Sequence, residues 1–167
     1  MKAMSNCVWS DMLCSPVISW EDPMLRNLGP LTGRLSRADL EICPGWEASW
    51  AEAYQADPAA LATIRVHSAD VEVLIFNATW CPDCRREVPR FFKALDQAGL
   101  SALPLTLLGL DRTLRDAEGL AAQWGIKAVP TFIFLRDGAE LGRIVERPTS
   151  TLEGDIARIL APGAPPR

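Results

Sequence analysis

Hydrophobic and polar positions alternate from residue 70 onward in a way that predicts seven elements in the order β-α-β-α-β-β-α. Strand-like apolar runs lie at 71–77, 103–110, 131–136 and 140–146. Helices are predicted over 82–98, near 114–124 with an end at Gly125, and from Ser150 to just before Pro162. This order calls for an α/β domain with a central mixed sheet and helices on both faces. Its first crossover is parallel and its last two strands form a hairpin.

Turn and cap residues mark two of these boundaries. Asp137-Gly138 is typical of a two-residue hairpin turn between the last two strands. Ser150 is followed three residues later by Glu153, which is the pattern of a capping box and predicts that the final helix starts at Ser150.

Domain boundaries are less clear in the chain before residue 70. Residues 1–35 lack sustained periodicity and contain several prolines and glycines, so we expect an extension that packs loosely or is partly disordered. A folded domain is predicted at 36–161, and 162–167 is expected to be a frayed tail.

Short helices are predicted where that domain begins. Ser36 has the character of a helix cap. Aromatic residues recur at helical spacing over 46–55, which predicts a helix that lays Trp46, Trp50 and Tyr54 on a core. Asp57-Pro58 then looks like a cap followed by a proline in the first turn, opening a helix to about residue 63.

Composition excludes several classes of partner. The 167 residues are 49% hydrophobic, enough for one domain with a real core, and the net charge of −4 favours neither nucleic acid nor an anionic membrane. No apolar run reaches the length that spans a bilayer, and a polar, acidic interruption stands where a secretory signal has its apolar stretch. We therefore expect a cytoplasmic protein. Its five cysteines are too few for a disulfide scaffold.

Trp80-Cys81-Pro82-Asp83-Cys84 carries the chemistry. It lies between a predicted strand and a predicted helix. Unpaired N–H groups and the positive end of the helix dipole favour a thiolate in the first turn of a helix. The second thiol, one turn further along, can close a small disulfide with the first. The pattern therefore predicts a redox-active cysteine pair.

Two motifs together resemble the thioredoxin family. An aromatic residue before the first cysteine, a C-x-x-C and a proline five residues after it match Trp80, Cys81, Cys84 and Pro89. The family's second signature matches 125–131, Gly-Ile-Lys-Ala-Val-Pro-Thr. The likeness covers about 65–160, and the run 85–92 is similar to bacterial thioredoxin-family proteins. The resemblance implies the thioredoxin fold.

The same resemblance implies a function and a site. Cys81 would attack a partner disulfide and Cys84 would resolve the mixed disulfide. Trp80, Val129 and Pro130, the last expected to be cis, would form an apolar docking platform for the partner. The partners would be protein or small-molecule disulfides, and regeneration would need a flavoprotein reductase or a small thiol. No organic cofactor or metal is implied.

Three positions qualify the resemblance. Ile75 stands where typical thioredoxins carry a buried aspartate that assists proton transfer, and Glu146 stands where they carry a glycine. Glu87, one turn after Cys84, is the nearest alternative proton relay, although pairing of Glu87 with an exposed Arg90 is the simpler interpretation.

Asp83 and Pro82 occupy the positions between the cysteines, where they would tune the pair. The charge of Asp83 opposes a thiolate at Cys81, and Arg85 and Arg86 would offset it. We expect a pKa of Cys81 below the free-thiol value of about 8.5 and a reductant of moderate to low potential. Cys81 should be exposed and Cys84 shielded.

Other interpretations remain open at this point. His67 with two cysteines supplies only part of a zinc site. Cys7 and Cys14 offer a possible regulatory disulfide. The competing function is an adaptor without turnover, whose interface would be an aromatic-rich N-terminal segment comprising Trp9, Met12, Trp20, Met24 and Leu25. Glutaredoxin and peroxiredoxin functions are disfavoured, the first by Ala128 before Val129-Pro130 and the second by Ala78 three residues before Cys81.

Overall fold

The apolar strands predicted at 71–77 and 131–136 lie side by side in a five-stranded sheet. The structure is a computed structural model that describes residues 29–43, 45–46 and 49–163. The strands are β1 (Gly33–Leu35), β2 (Val71–Asn77), β3 (Leu105–Gly109), β4 (Thr131–Arg136) and β5 (Ala139–Val145). The helices are α1 (Arg37–Glu41), α2 (Ser49–Glu52), α3 (Pro58–His67), α4 (Pro82–Ala98), α5 (Leu120–Gln123) and α6 (Leu152–Leu160).

The sheet order is β1-β3-β2-β4-β5. β2 and β3 are parallel, as expected for a crossover through α4, and the other three pairs are antiparallel. Ile75 of β2 pairs with Leu107 on one side and Phe132 on the other, so the centre of the sheet is apolar on both neighbouring strands. The mixed sheet confirms the fold class that the resemblance implied.

Helices cover both faces of this sheet. α4 packs on one face, where Phe91 stacks on Phe132 with ring centroids 4.9 Å apart. α6 covers the same face, because Gly142 of β5 lies against Ile159. α5 lies on the opposite face, where the Arg143 guanidinium donates to the carbonyl of Trp124 at 3.1 Å. The 82–98 helix is confirmed, and it ends at Gly99, whose φ of 71° is a conformation that glycine adopts readily.

The start of the sheet differs from the sequence prediction. β1 lies inside the range 1–35 assigned to the extension, and it pairs with β3 from Gly33 opposite Gly109 to Leu35 opposite Leu107. Three residues are too few to show a period-two pattern, so this strand was missed. Residues 1–28 of that range, including the proposed adaptor interface, Cys7 and Cys14, lie outside the described residues, as do 164–167 of the predicted tail.

The short helices begin where their cap residues predict, but their lengths differ from those that the apolar spacing predicts. Ser36 caps α1 in a full capping box with Asp39, and Asp57 caps α3, as predicted. α3 continues to His67, four residues beyond the predicted end. The helix expected over 46–55 is only Ser49–Glu52, although Trp46 is still buried in the core.

The helix predicted near 114–124 is four residues long. Asp116 accepts hydrogen bonds from the N–H groups of Glu118, Leu120 and Ala121, and these bonds form a turn that holds the chain out of helix until Gly119. Only Leu120–Gln123 is helical, and Gly125, at φ 62°, follows its end as predicted.

The predicted capping box of the last helix is wrong. Thr151, not Ser150, caps α6, and its side chain accepts from the N–H of Gly154. Glu153 instead accepts hydrogen bonds from the Tyr54 hydroxyl and, at 3.1 Å, from the Asp57 N–H, which ties α6 to the chain before α3. The hairpin turn is confirmed, with both Asp137 and Gly138 at positive φ.

Candidate functional site

Cys81 is the N-cap of α4, and Pro82 takes the first helical position. Proline suits that position because it has no N–H to leave unpaired and its φ is already helical. The next two N–H groups, of Asp83 and Cys84, are left without a partner inside the helix. The local sequence therefore directs free N–H donors and the positive end of a 17-residue helix at the Cys81 sulfur.

The pKa of Cys81 is lowered to about 6 by this arrangement. The hydrogen bond from the Cys84 thiol contributes most, and burial acts against it. The N–H groups of Cys84 and Asp83 lower the pKa further, whereas the negative charge of Asp83 raises it. Cys81 is thus mainly a thiolate at neutral pH.

The Cys81 thiol also meets the loop before β4. In its protonated form, the Sγ donates to the carbonyl oxygen of Val129 at 3.3 Å, and the Val129–Pro130 peptide bond is cis. This contact leaves only 9% of Cys81 exposed. The expectation of an exposed Cys81 is therefore wrong, because the loop at Val129 covers the cap position that a helix start would otherwise leave open.

Cys84 lies one turn deeper and is completely buried. Its sulfur accepts a hydrogen bond from the N–H of Ala78 at 3.3 Å. Burial, followed by the hydrogen bond to Cys81, raises the pKa of Cys84 far above its ordinary value. The two cysteines of the motif therefore differ in the predicted direction: one ionises readily and the other stays a thiol.

Trp80 is held beside the cysteine pair. Its indole N–H donates to the carbonyl of Leu110 at 3.3 Å, just beyond the end of β3, and the Arg112 guanidinium lies 5.5 Å from the ring centroid. Val129 and Pro130 are both buried. The structure thus places Val129 in contact with Cys81 and fixes the Trp80 ring through its nitrogen.

Asp83 pairs with one of the two arginines that the sequence suggested, Arg86, and not with the other, Arg85. Its Oδ1 accepts from Arg86 at 2.7 Å and from Arg147, which follows β5, at 3.2 Å through Nε and 3.1 Å through Nη2. Arg85 instead donates to the carbonyl of Thr79 at 2.8 Å, and it packs on Gly45, where a Cβ would lie 2.8 Å from its guanidinium. Arg147 is a residue that sequence reasoning missed.

Glu87 lies on α4 with only 4% of its side chain exposed. Its Oε1 accepts from Arg86 at 2.6 Å and lies 3.5 Å from Arg90, a half-buried residue that also packs on the Tyr54 ring. The carboxylate is thus engaged with two arginines, which agrees with the ion-pair interpretation and extends it to Arg86.

The two departures from the family pattern have distinct settings. Ile75 is fully buried in β2, so a carboxylate there is replaced by core packing. Glu146 is exposed and has a φ of 57°, a conformation that favours glycine. Its N–H donates to the carbonyl of Pro130 at 2.7 Å, so Glu146 adjoins the loop that carries Val129 and Pro130.

Two polar residues near the motif were not predicted. Thr79, 4% exposed, accepts from the N–H of Leu31 at 3.2 Å and bonds to the Cys43 side chain. Burial raises the pKa of Cys43 against the influence of Thr79 and Arg85. Asn77, at the end of β2, is fully buried, and among the described side chains its amide atoms have no hydrogen-bond partner.

Within residues 29–43, 45–46 and 49–163, no group of three or more His, Cys, Asp or Glu side chains is placed to hold a metal ion. His67 ends α3, and its carbonyl accepts from Arg136 at 2.7 Å. No helix of those same residues is long and apolar enough to cross a membrane.

The family model and the curated relatives that match this chain are thioredoxins. The family model described as Thioredoxin matches residues 47–156. The TPR repeat-containing thioredoxin TDX of Arabidopsis thaliana is 36% identical over 86 residues, which are 52% of this chain and 21% of that protein. Thioredoxin H1 of Arabidopsis thaliana is 33% identical over 94 residues, which are 56% of this chain and 77% of that protein. Among solved structures, mitochondrial thioredoxin 3 of Saccharomyces cerevisiae is 27% identical with a TM-score of 0.39, covering 57% of this chain and 87% of that one.

Proposed function

This chain belongs to the thioredoxin family, and we propose that it is a thiol–disulfide oxidoreductase that reduces partner disulfides through Cys81 and Cys84. The observation that carries the proposal is the division between the two thiols. Cys81 has a pKa of about 6, whereas Cys84 is buried with a raised pKa. A stable thiolate next to a protected thiol suits a nucleophile and its resolving partner.

The proposed cycle consists of two thiol–disulfide exchange steps. The Cys81 thiolate attacks one sulfur of the partner disulfide, the partner S–S bond breaks, and the released partner sulfur leaves as a thiolate. Cys84 then loses its proton and attacks Cys81 Sγ, which breaks the mixed disulfide and forms the Cys81–Cys84 disulfide. Two electrons pass to the partner, whose two sulfurs take up two protons, one from Cys84 and one from the solvent. The first released partner thiolate is the proposed acceptor of the Cys84 proton, because Ile75 offers no base.

We propose that the partner docks along Trp80, Val129 and Pro130. Val129 contacts the sulfur that reacts, Trp80 precedes it in the chain, and an extended partner segment beside the loop at Val129 would bring its disulfide to Cys81. Pro82 and Asp83 tune the pair, and Glu87 supports α4 through its arginine pairs. The proposed substrates are protein or small-molecule disulfides, and a reductase or a small thiol would reduce the Cys81–Cys84 disulfide again in a reducing compartment such as the cytoplasm.

A pKa of about 6 also bears on the direction of the reaction. It lies between the values of about 7 for thioredoxin and about 3.5 for the strong oxidant DsbA. Redox titration against glutathione or dithiothreitol should therefore give a potential well below the value of about −120 mV of that oxidant. A potential at the oxidising end would contradict the proposed role as a reductant.

Reduction of insulin disulfides tests the function directly. With dithiothreitol as donor, the wild-type chain and Cys43→Ser should accelerate insulin reduction, and Cys81→Ser should not. In the absence of dithiothreitol, Cys84→Ser should accumulate covalent adducts on Cys81, because the resolving thiol is absent, and later addition of dithiothreitol should reverse them. An unreactive Cys81 and no activity with any donor would favour the adaptor without turnover.

A further inference from the structure

The Asp83 carboxylate is held from two directions. Arg86, one turn along α4, donates to Oδ1 at 2.7 Å. Arg147 comes from the segment after β5, and both its Nε and Nη2 lie near the same oxygen, at 3.2 and 3.1 Å. The second pair joins the active-site helix to a part of the chain far away in sequence.

The position of Arg147 is fixed by the loop that faces Cys81. The N–H of Glu146 donates to the carbonyl of Pro130 at 2.7 Å, and the N–H of Arg147 donates to the carbonyl of Val145 at 2.7 Å. Val129, the residue before Pro130, contacts Cys81. The Arg147–Asp83 pair therefore closes a ring of contacts around the reactive sulfur.

Three arginines lie near Asp83 in sequence or in space, and each makes different contacts. Arg85 is directed at the Thr79 carbonyl. Arg86 divides its hydrogen bonds between Asp83 and Glu87, so part of its charge serves a second carboxylate. Arg147 directs its Nε and Nη2 at Asp83, its only ion-pair partner among the described residues.

We propose that Arg147 is a positioning residue for the cysteine pair, which acts by holding and neutralising the Asp83 carboxylate beside Cys81. This inference rests on the proposed redox function. Asp83 disfavours the thiolate through its negative charge, and a guanidinium on its oxygen weakens that effect. Because a stabler thiolate means a stabler dithiol form, Arg147 also sets how readily the Cys81–Cys84 disulfide is reduced.

The test is a charge-removal series at Arg147 and Asp83. In Arg147→Gln, the thiolate fraction of Cys81 at a pH near its pKa should fall by about 1.5-fold to twofold, a small change because the Arg147 side chain is largely exposed and its pairing is screened. The equilibrium with dithiothreitol should move toward the Cys81–Cys84 disulfide by a similar factor at neutral pH. Asp83→Asn should shift both quantities in the opposite direction, and Arg147→Lys should restore most of the loss.

The double variant separates a specific role from a structural one. If Arg147 acts through Asp83, adding Arg147→Gln to Asp83→Asn should change neither quantity further. Arg34→Gln is the matched control, because Arg34 forms a similarly exposed pair with Glu118 at the edge of the sheet. That variant should leave Cys81 unchanged.

The outcomes also separate this inference from the proposed function. A pair that exchanges with dithiothreitol normally but does not respond to Arg147→Gln would overturn the inference alone. If Arg147→Gln lowered the thiolate fraction of Cys81 equally in the wild-type chain and in Asp83→Asn, that result would overturn the inference as well. A pair that forms no disulfide at any dithiothreitol ratio in the wild-type chain would overturn the function itself.

Discussion

The sulfur of Cys81 lies 3.3 Å from the carbonyl oxygen of Val129, although the two residues are 48 positions apart in the chain. The reactive position is therefore a junction between the start of α4 and the loop before β4. The helix lowers the pKa of the thiol, and the loop limits the access of solvent to it. These two influences lead to a prediction about pH.

Alkylation of Cys81 by iodoacetamide should depend on pH with a midpoint near 6, because only the thiolate reacts. Cys84→Ala should move the midpoint upward, since the hydrogen bond from Cys84 is the largest cause of the lowered pKa. Mass spectrometry of the alkylated peptide gives the rate at each pH. The Cys43→Ser background removes a competing thiol, and a midpoint near the ordinary 9.0 would contradict the prediction.

The conformation of Glu146 has a measurable cost. A residue with a Cβ loses about 1–2 kcal/mol in the left-handed region, and Glu146 has a φ of 57°. Glu146→Gly should therefore raise the free energy of unfolding in urea by up to about 1 kcal/mol, part of the gain being offset by the greater freedom of glycine in the unfolded chain. Glu146→Ala keeps the Cβ and removes the charge, so it should show no such gain. An equal gain in both variants would assign the effect to charge.

Much of the fold was readable because its central elements have long, regular patterns. β2, α4 and the β4–β5 hairpin lie where periodicity and turn residues predicted them. α5 is shorter than predicted because the Asp116 side chain binds backbone N–H groups that a helix would use, and this competition leaves no trace in apolar spacing.

In the site, too, local features could be predicted from the sequence and long-range contacts could not. Cys81, Cys84 and their unequal pKa values follow from a local motif at a helix start, which a sequence displays. The long-range partner of Asp83 does not, because Arg147 reaches it only after folding has brought the segment that follows β5 to the start of α4. Long-range pairs of charged residues have no signature in one sequence.

Gly109 tests how tightly the chain before β1 packs on the sheet. A Cβ at this position would lie 2.2 Å from the carbonyl oxygen of Leu31, a backbone atom that cannot rotate away. Gly109→Ala should destabilise the protein by about 1–3 kcal/mol in urea unfolding. At Gly142 the nearest atoms, at 3.2 Å, belong to the Ile159 side chain, so Gly142→Ala should cost less. Equal losses in the two variants would show that the Leu31 segment yields as easily as a side chain.

The Tyr54–Glu153 hydrogen bond joins α6 to the chain before α3. Tyr54→Phe leaves a buried carboxylate with one partner fewer, so we expect a loss of about 1.5–3 kcal/mol in the free energy of unfolding at neutral pH. Burial acts to raise the pKa of Glu153, but the hydrogen bonds from Tyr54 and Asp57 outweigh it and the pKa is lowered from 4.5.

The pH dependence of that loss follows from the lowered pKa. A carboxyl with a lowered folded-state pKa stabilises the fold above its unfolded pKa, and this contribution disappears as the pH falls through the folded value. The difference between Tyr54→Phe and the wild-type chain should therefore shrink below pH 4.5. In a Glu153→Gln background the effect of Tyr54→Phe should be smaller and independent of pH over this range, and a constant difference in the wild-type background would contradict the assignment.

The short strand β1 covers one edge of β3. β3 pairs with β2 on one side and with β1 on the other, so Gly33–Leu35 occupies backbone groups that would otherwise form an open edge. An uncovered apolar edge strand is a template for pairing with another molecule. A fragment that begins at residue 36, the boundary suggested by the sequence, would expose Leu105–Gly109 along that edge and should self-associate, whereas one that begins at residue 29 retains the covering strand. Three residues with no catalytic part thus decide whether the isolated domain remains a monomer.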